Sequence, residues 1–384
     1  MITLENADKA LKDYYLQAVS AQLNDNVSPF FSAIEKTSNN VYGKDVKIAV
    51  VNGRTDSVLA CTEDGDLPAP HNNRYHEISV PLKNIYGTIE VSDKAMRASR
   101  DSSGTFVNLV NAEMDGLISS AKFNFQRMLF GDGTGTLCKI NSADSNATSN
   151  FKYAVNDITK LSVGMKVDIY TTSGIRTEGA VINAISETTR TITLDRAVSG
   201  NAQNASITVL GAYGNELTGL GAIFGDNKLY GHDRAAEPYF NPYRVNNGSL
   251  SEDMFVEIID HMEENFNSKI NMILCSYSRK RQMISQLNAM KINMSSIDLM
   301  AGQGVLTVNG IPVYADRFCP NDKIYFVNTD DFVLNQLCDW EWLEDEDGKI
   351  LKQVPGKAAY GATLVKYAEL VCKKPCAQAV LNLS

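Results

Sequence analysis

The chain is poor in the residues that do chemistry. Among 384 residues there are four histidines, His71, His76, His232 and His261, and two tryptophans. No two histidines stand in the H-E-x-x-H spacing of a zinc helix, and none neighbours a cysteine pair. A G-x-S-x-G elbow for a serine nucleophile is missing too. No run of about 18 apolar residues occurs, so no segment reads as a membrane helix. The opening text, MITLENADKALKDYYLQAV, has acids and lysines where a signal peptide needs an apolar core. Long basic runs are also lacking and the formal net charge is -9, which argues against a surface that grips nucleic acid through many phosphates. The reading is a non-enzyme with no metal, no cofactor and no membrane partner. An enzyme with scattered catalytic residues stays as an alternative, because active sites assemble from distant positions.

What is present fits a folded protein: 44% hydrophobic residues and 21% charged. The seven cysteines, Cys61, Cys138, Cys275, Cys319, Cys338, Cys372 and Cys376, are odd in number and sit in strand-like text such as NMILCSY and AELVCKKPCAQAV. Buried thiols in a reducing cytoplasm are expected. Cys372 and Cys376 have no second pair to complete a metal knuckle. The acidic run LEDEDG, Leu343 to Gly348, fails as a calcium loop. With Gly348 in the glycine position, Leu343 would be the first ligand and Val354 the twelfth.

One stretch advertises chemistry: LFGDGTGTL, Leu129 to Leu137. Phosphate loops precede a helix, where free N–H groups face the anion, whereas this stretch follows one. Lys139 is followed by Ile140, not by Ser or Thr, and the glycines do not make G-x-G-x-x-G. Asp132-Gly133 and Thr134-Gly135 are turn chemistry.

Periodicity supplies the elements. Leu4, Ala7, Leu11, Tyr14 and Ala18 recur at helical steps in an N-terminal arm. The polar text NGRTDSVLACTEDGDLPAPHNNR cannot bury its own backbone, so it is functional, disordered or laid against a neighbour. Ile78, Val80, Leu82, Ile89 and Val91 alternate as two half-buried strands, or as one strand with a kink. Val107, Val110, Met114, Leu117, Ala121, Phe125 and Met128 keep one apolar face through a long helix, with Thr105 as its cap and Gly131 as its stop. Short alternating strands with Ser-Gly, Glu-Thr and Gly-Asn turns then suggest a small barrel of about five strands. Ser251 is expected to cap the next helix, with Leu250 stapled to Phe255, and Asn309-Gly310 marks a hairpin. The whole reads as an α+β chain with a β insertion.

The order of these parts resembles the major capsid proteins of tailed bacteriophages, the Hong Kong 97-like fold. EDGDLPAPHNNRYHEISVPLKNIYGTIEVSD resembles the family's extended loop and the strands leading to its spine helix, and FQRMLFGDGTG resembles the end of that helix. NELTGLGAIFG, LYGHDRAAEPYFNP and VNGIPVYADRF resemble the approach to the axial domain and its body. The resemblance implies an N-terminal arm at 1–45, an extended loop at 46–82, and a peripheral domain at 83–154 with its spine helix at about 104–130. It further implies an inserted β-barrel domain at 155–212, an axial domain at 213–340, and a return to the peripheral domain at 341–384.

The function it implies is a virion shell subunit, synthesised in the bacterial host cytoplasm, that forms pentamers and hexamers around double-stranded DNA without sequence-specific binding. Its implied partners are other copies of itself, a portal protein, a separate scaffolding protein (the arm being short) and a decoration protein on the barrel. A barrel that only braces the shell surface or helps folding is the preferred reading of the two. A bacterial nanocompartment shell enclosing a cargo enzyme is the alternative within the same fold. The expected inter-subunit contacts at the loop tip are Glu63, Asp64, Asp66, Leu67 and Arg74.

Some relatives weld subunits through a lysine in the extended loop, but here no lysine lies between Lys47 and Lys83. The protein is therefore expected to run as a single monomer band after boiling in detergent, and a ladder of covalent multimers would refute this.

Overall fold

A computed structural model describes residues 28–53, 57–58, 60, 62, 71–94, 103–143, 151–246, 250–289, 306–344, 350 and 352–383. The arm positions before 28 and the loop positions 63–70 lie outside the described residues. The chain divides into two compact units. The described part of the first is Lys83–Gly225 with Trp340–Lys366, and that of the second is Ser28–Leu82, Asp226–Asp339 and the segment from Tyr367.

In the first unit the strand Lys83–Ser92 alternates, burying Ile85, Ile89 and Val91. It pairs with the strand that begins at Ala359. The long helix spans Ser103–Leu129, three residues earlier than a Thr105 cap would place its start, so Thr105 lies inside it. Met114, Ile118, Phe125 and Leu129 form its buried stripe. Leu117 and Met128 are half-buried, so the stripe is turned slightly from the expected one. Gly87 lets the helix lie close on the strand, since a Cβ there would stand 2.7 Å from Leu117 Cδ1. Near the helix's end the fully buried Lys366 places its ammonium 5.6 Å from the ring centres of both Phe125 and Trp340, a cation–π arrangement that offsets burial of the charge.

The helix is followed by a closed six-stranded barrel. Its staves, in order around the wall, are Thr191–Leu194, Lys152–Val155, Thr136–Ala143, Ser206–Val209, Lys166–Tyr170 and Arg176–Ser186. The first two strands along the chain therefore precede the expected start at 155. Both begin in the 83–154 stretch that the resemblance assigns to the peripheral domain, since neither is part of the run of alternating strands and turns that marks the insertion. Ile140, Val167, Ile169, Ala180, Ile182, Ile192 and Ile207 fill the interior at 0% exposure. Closure removes the open sheet edges that a free meander would present.

The stretch LFGDGTGTL forms the neck of this barrel. The incoming and outgoing chains touch backbone to backbone: Gly214 N–H donates to Thr134 O (2.9 Å) and Ala222 N–H to Gly131 O (3.3 Å). A Cβ on Gly135 would lie 2.7 Å from Ala212 O, and one on Gly219 2.3 Å from Met128 O. Those glycines are required by close approach, not by a phosphate. Behind them Arg127 forms a bidentate pair with Glu216, at 2.8 and 2.5 Å, with both side chains 3% exposed.

The second unit is built on a six-stranded mixed sheet in the order Tyr243–Asn246, Ala379–Asn382, Lys323–Val327, Met272–Cys275, Ile311–Ala315, Leu306–Val308. The hairpin turns at Asn309 and Gly310, both at positive φ, as the Asn-Gly pair requires. Two helices, Glu252–Phe266 and Tyr277–Ala289, pack Phe255, Ile258, Met262 and Met283 into the sheet's core cluster. Ser251 caps the first by accepting from Met254 N–H (3.4 Å), and Leu250 joins Phe255 in the same cluster. A short helix, Pro29–Ala33, leads into Glu35–Thr37, which pairs in parallel with Val333–Asn335. The described cysteines carry free thiols. Burial pushes those of Cys138 and Cys275 up to about 12, so they are inert at neutral pH.

One buried carboxylate organises a barrel end. Asp168, at 0% exposure, accepts from Arg176 Nη2 (2.6 Å), Gly179 N–H (2.9 Å) and Gly211 N–H (2.9 Å). Burial alone would raise its carboxyl. The two amides and the guanidinium outweigh burial and hold it below the ordinary carboxylate value. Its stabilising contribution is thus complete above the unfolded carboxylate value of about 4 and is lost as pH falls through the lower folded value. Asp168→Asn is expected to destabilise the chain by about 1–3 kcal/mol at pH 7, with the gap to wild type narrowing below about pH 4. Thermal melts at stepped pH check this, and a gap unchanged between pH 7 and 3 contradicts it.

Candidate functional site

The one feature whose length suggests contact with another chain is the extended loop, and the structure describes its base. Asp45–Val51 and Tyr75–Pro81 form an antiparallel ribbon in the second unit, with Val46 opposite Val80, Ile48 opposite Ile78, and Val50 opposite His76. Alternation puts Val46, Val50, Ile78 and Val80 on the buried face. At the end from which the loop departs, Val51 pairs with Tyr75, and both are more than half exposed. Val58 and Tyr42 add further exposed apolar surface on this segment.

The ribbon is tied down at His76 by a cluster drawn from distant sequence. Glu237 bridges two imidazoles: Oε2 lies 3.2 Å from His76 Nδ1 and 3.0 Å from His232 Nδ1. Nε2 of His232 is 3.0 Å from Glu77 O, and Nε2 of His76 is 2.6 Å from Asn52 Nδ2. Both nitrogens of His232 thus face oxygen acceptors. His76 donates to the carboxylate and accepts from the amide. The His232 ring stacks on Phe240 at 4.2 Å and 6°, and His76 lies 5.5 Å from the Tyr239 ring.

The segment carrying Glu237 is itself anchored. Arg234 donates to Asn227 O (2.6 Å) and to Phe240 O (2.5 Å), and Tyr239 donates to Lys373 O (2.8 Å). Burial lowers the Arg234 guanidinium to about 10, still charged at neutral pH. Tyr230 Oη accepts from Cys372 N–H (2.8 Å), and burial keeps its hydroxyl protonated. Each of these bonds ends on backbone, so the cluster is a mechanical fastening.

Of the expected loop-tip contacts, Glu63, Asp64, Asp66 and Leu67 lie outside the described residues. Arg74 stands exposed at the ribbon's end, and its carbonyl accepts from Asn52 N–H (2.8 Å). His76, His232 and Glu237 were missed as a group because no spacing joins positions so far apart. The only sequence signal was that two of the four histidines sit beside an acid or an aromatic in YHE and YGHDRAAEPYF. Among the described residues no group of three or more His, Cys, Asp or Glu side chains is placed to hold a metal ion, and no helix is long and apolar enough to cross a membrane.

An α+β chain with a ribbon-borne loop, a long helix and a mixed axial sheet defines the class: this is the Hong Kong 97-like capsid fold. Among solved structures, the capsid of cyanophage A-1(L) matches with a TM-score of 0.56 over 92% of each chain at 12% identity. The capsid of a native GTA particle matches with a TM-score of 0.50, covering 94% of this chain and 91% of that one at 11% identity. At such identities it is the fold that is shared. The sequence matches no protein-family model and no curated protein.

Proposed function

We propose that this chain is the major capsid protein of a tailed bacteriophage, a subunit that tiles an icosahedral head as pentamers and hexamers and encloses double-stranded DNA. The observation that carries the reading is the extent of the shared fold. It takes in 92% of this chain and of the cyanophage capsid chain, so little of either is left over to form a separate catalytic domain. The ribbon supports it, because an extended loop rooted by backbone-directed bonds and flanked by exposed Val51 and Tyr75 is built to lie on a neighbour. A net charge of -9 suits a container that confines DNA without gripping it. Several modest interfaces per subunit, repeated around a closed shell, supply stability by acting together.

The full chain, expressed alone and with a candidate scaffolding protein, is expected to give closed shells or hexamer-sized rings in negative-stain electron microscopy. Nucleic acid inside such shells fits a virus, and a protein cargo fits a nanocompartment. A discrete monomer under both conditions would overturn the shell reading.

A further inference from the structure

Two helices of the second unit carry charge that works against their own stability. Glu252–Phe266 has six acids, Glu252, Asp253, Glu257, Asp260, Glu263 and Glu264, and no lysine or arginine. Asp253, Glu257, Asp260 and Glu264 fall on one ridge, opposite the buried Phe255, Ile258 and Met262. These acids stand three and four residues apart, where like charges repel, and Glu263 and Glu264 sit at the C-terminal turn, which favours cations. Among the described residues no basic group approaches any of the four ridge acids within 4 Å. The flank they form with Val256 and His261 is an open groove.

Tyr277–Ala289 is the converse: three consecutive bases, Arg279, Lys280 and Arg281, within its first five residues, and no acid. Cations at a helix N-terminus oppose the dipole. Arg279 is held in place by Asn321 O (2.6 Å) and Gln282 Oε1 (2.9 Å), neither of which is charged. Lys280 and Arg281 have no carboxylate partner among the described residues, and Arg281 is exposed beside Tyr277, itself 60% exposed. Among the described residues each helix therefore bears an uncompensated patch, and the two patches are opposite in sign within one unit.

We propose that they are the two halves of a head-to-tail contact between copies of this chain, the acidic ridge of one copy receiving the basic turn of the next. Such a heterologous contact closes into a ring when the rotation between copies is right, which is the geometry a capsomer needs. Complementary charge fixes the partner and the register and excludes ridge-to-ridge or turn-to-turn pairing, both of which repel. Val256 in the groove and Tyr277 beside the bases supply apolar surface at the same contact. The inference rests on the shell reading and names an interface within it.

The test uses the full-length chain as four proteins: wild type, Glu257→Lys with Asp260→Lys, Lys280→Glu with Arg281→Glu, and all four changes together. Sedimentation velocity gives the assembled fraction, and circular dichroism checks that each protein is folded. Either reversal is expected to cut assembly at least about tenfold, and the combined variant to recover to within about threefold of wild type. Wild-type shells together with unaffected reversals would overturn the pairing alone. So would a combined variant as defective as either reversal. A wild-type chain that stays monomeric at every concentration, both alone and with a candidate scaffolding protein, would overturn the shell reading and the pairing together.

Discussion

A closed barrel hung on the end of a helix needs its two connections held together, and here that task falls to the Arg127–Glu216 pair. Arg127 lies in the helix's last turn and Glu216 on the returning chain. Their two bonds lock the direction as well as the distance between entry and exit. With the side chains 3% exposed, removing one partner leaves an unpaired buried charge, at a cost of about 3–5 kcal/mol. Everything at the neck follows from that proximity. Backbone meets backbone at Thr134–Gly214 and Gly131–Ala222, and the crossings are too tight for a side chain at Gly135 or Gly219. An insertion held this way adds a folded body while the strand–helix layer beneath it keeps its own core of Met114, Ile118, Phe125 and Leu129.

The second unit solves a related problem at the ribbon. A loop long enough to cover a neighbour must be rooted firmly, or the entropy of its base works against every contact made at its tip. Glu237 and its two histidines, backed by Phe240 and by Arg234 on backbone carbonyls, provide that root without an open reactive group. The same unit presents the acidic ridge and the basic turn on helices whose inner faces are fully used by the core. Inner faces thus serve folding and leave the outer faces for the association proposed above, a division suited to a subunit that is stable before it assembles.

Local pattern made much of this legible. The alternation around Ile78 and Val80, the apolar stripe of the long helix, the Ser251 cap and the Asn309-Gly310 turn all obey short-range rules, and the structure places each of those elements where the residues indicate. The order of parts carried the fold itself. Context decided what sequence could not. Gly133 and Gly135 of LFGDGTGTL take the positive φ of turn residues, as the sequence indicates, but Gly135 also gives clearance to Ala212 on a chain some eighty residues further on, which no window around it contains. The barrel's first two staves were hidden because Thr136–Ala143 and Lys152–Val155 pair with distant strands, not with each other alone. Glu237 and its histidines were invisible for the same reason, since a contact between remote positions leaves no periodic trace.

The claim that one buried pair holds the neck is tested most directly by amide hydrogen exchange at Gly214 and Ala222. The measurement compares wild type, Arg127→Met, Glu216→Met and the double variant. Each single change is expected to speed exchange by about a hundredfold or more, while the double change costs far less than the product of the two, because two apolar side chains leave no orphaned charge. Single variants that exchange at the wild-type rate, or effects that simply multiply in the double variant, would contradict the account.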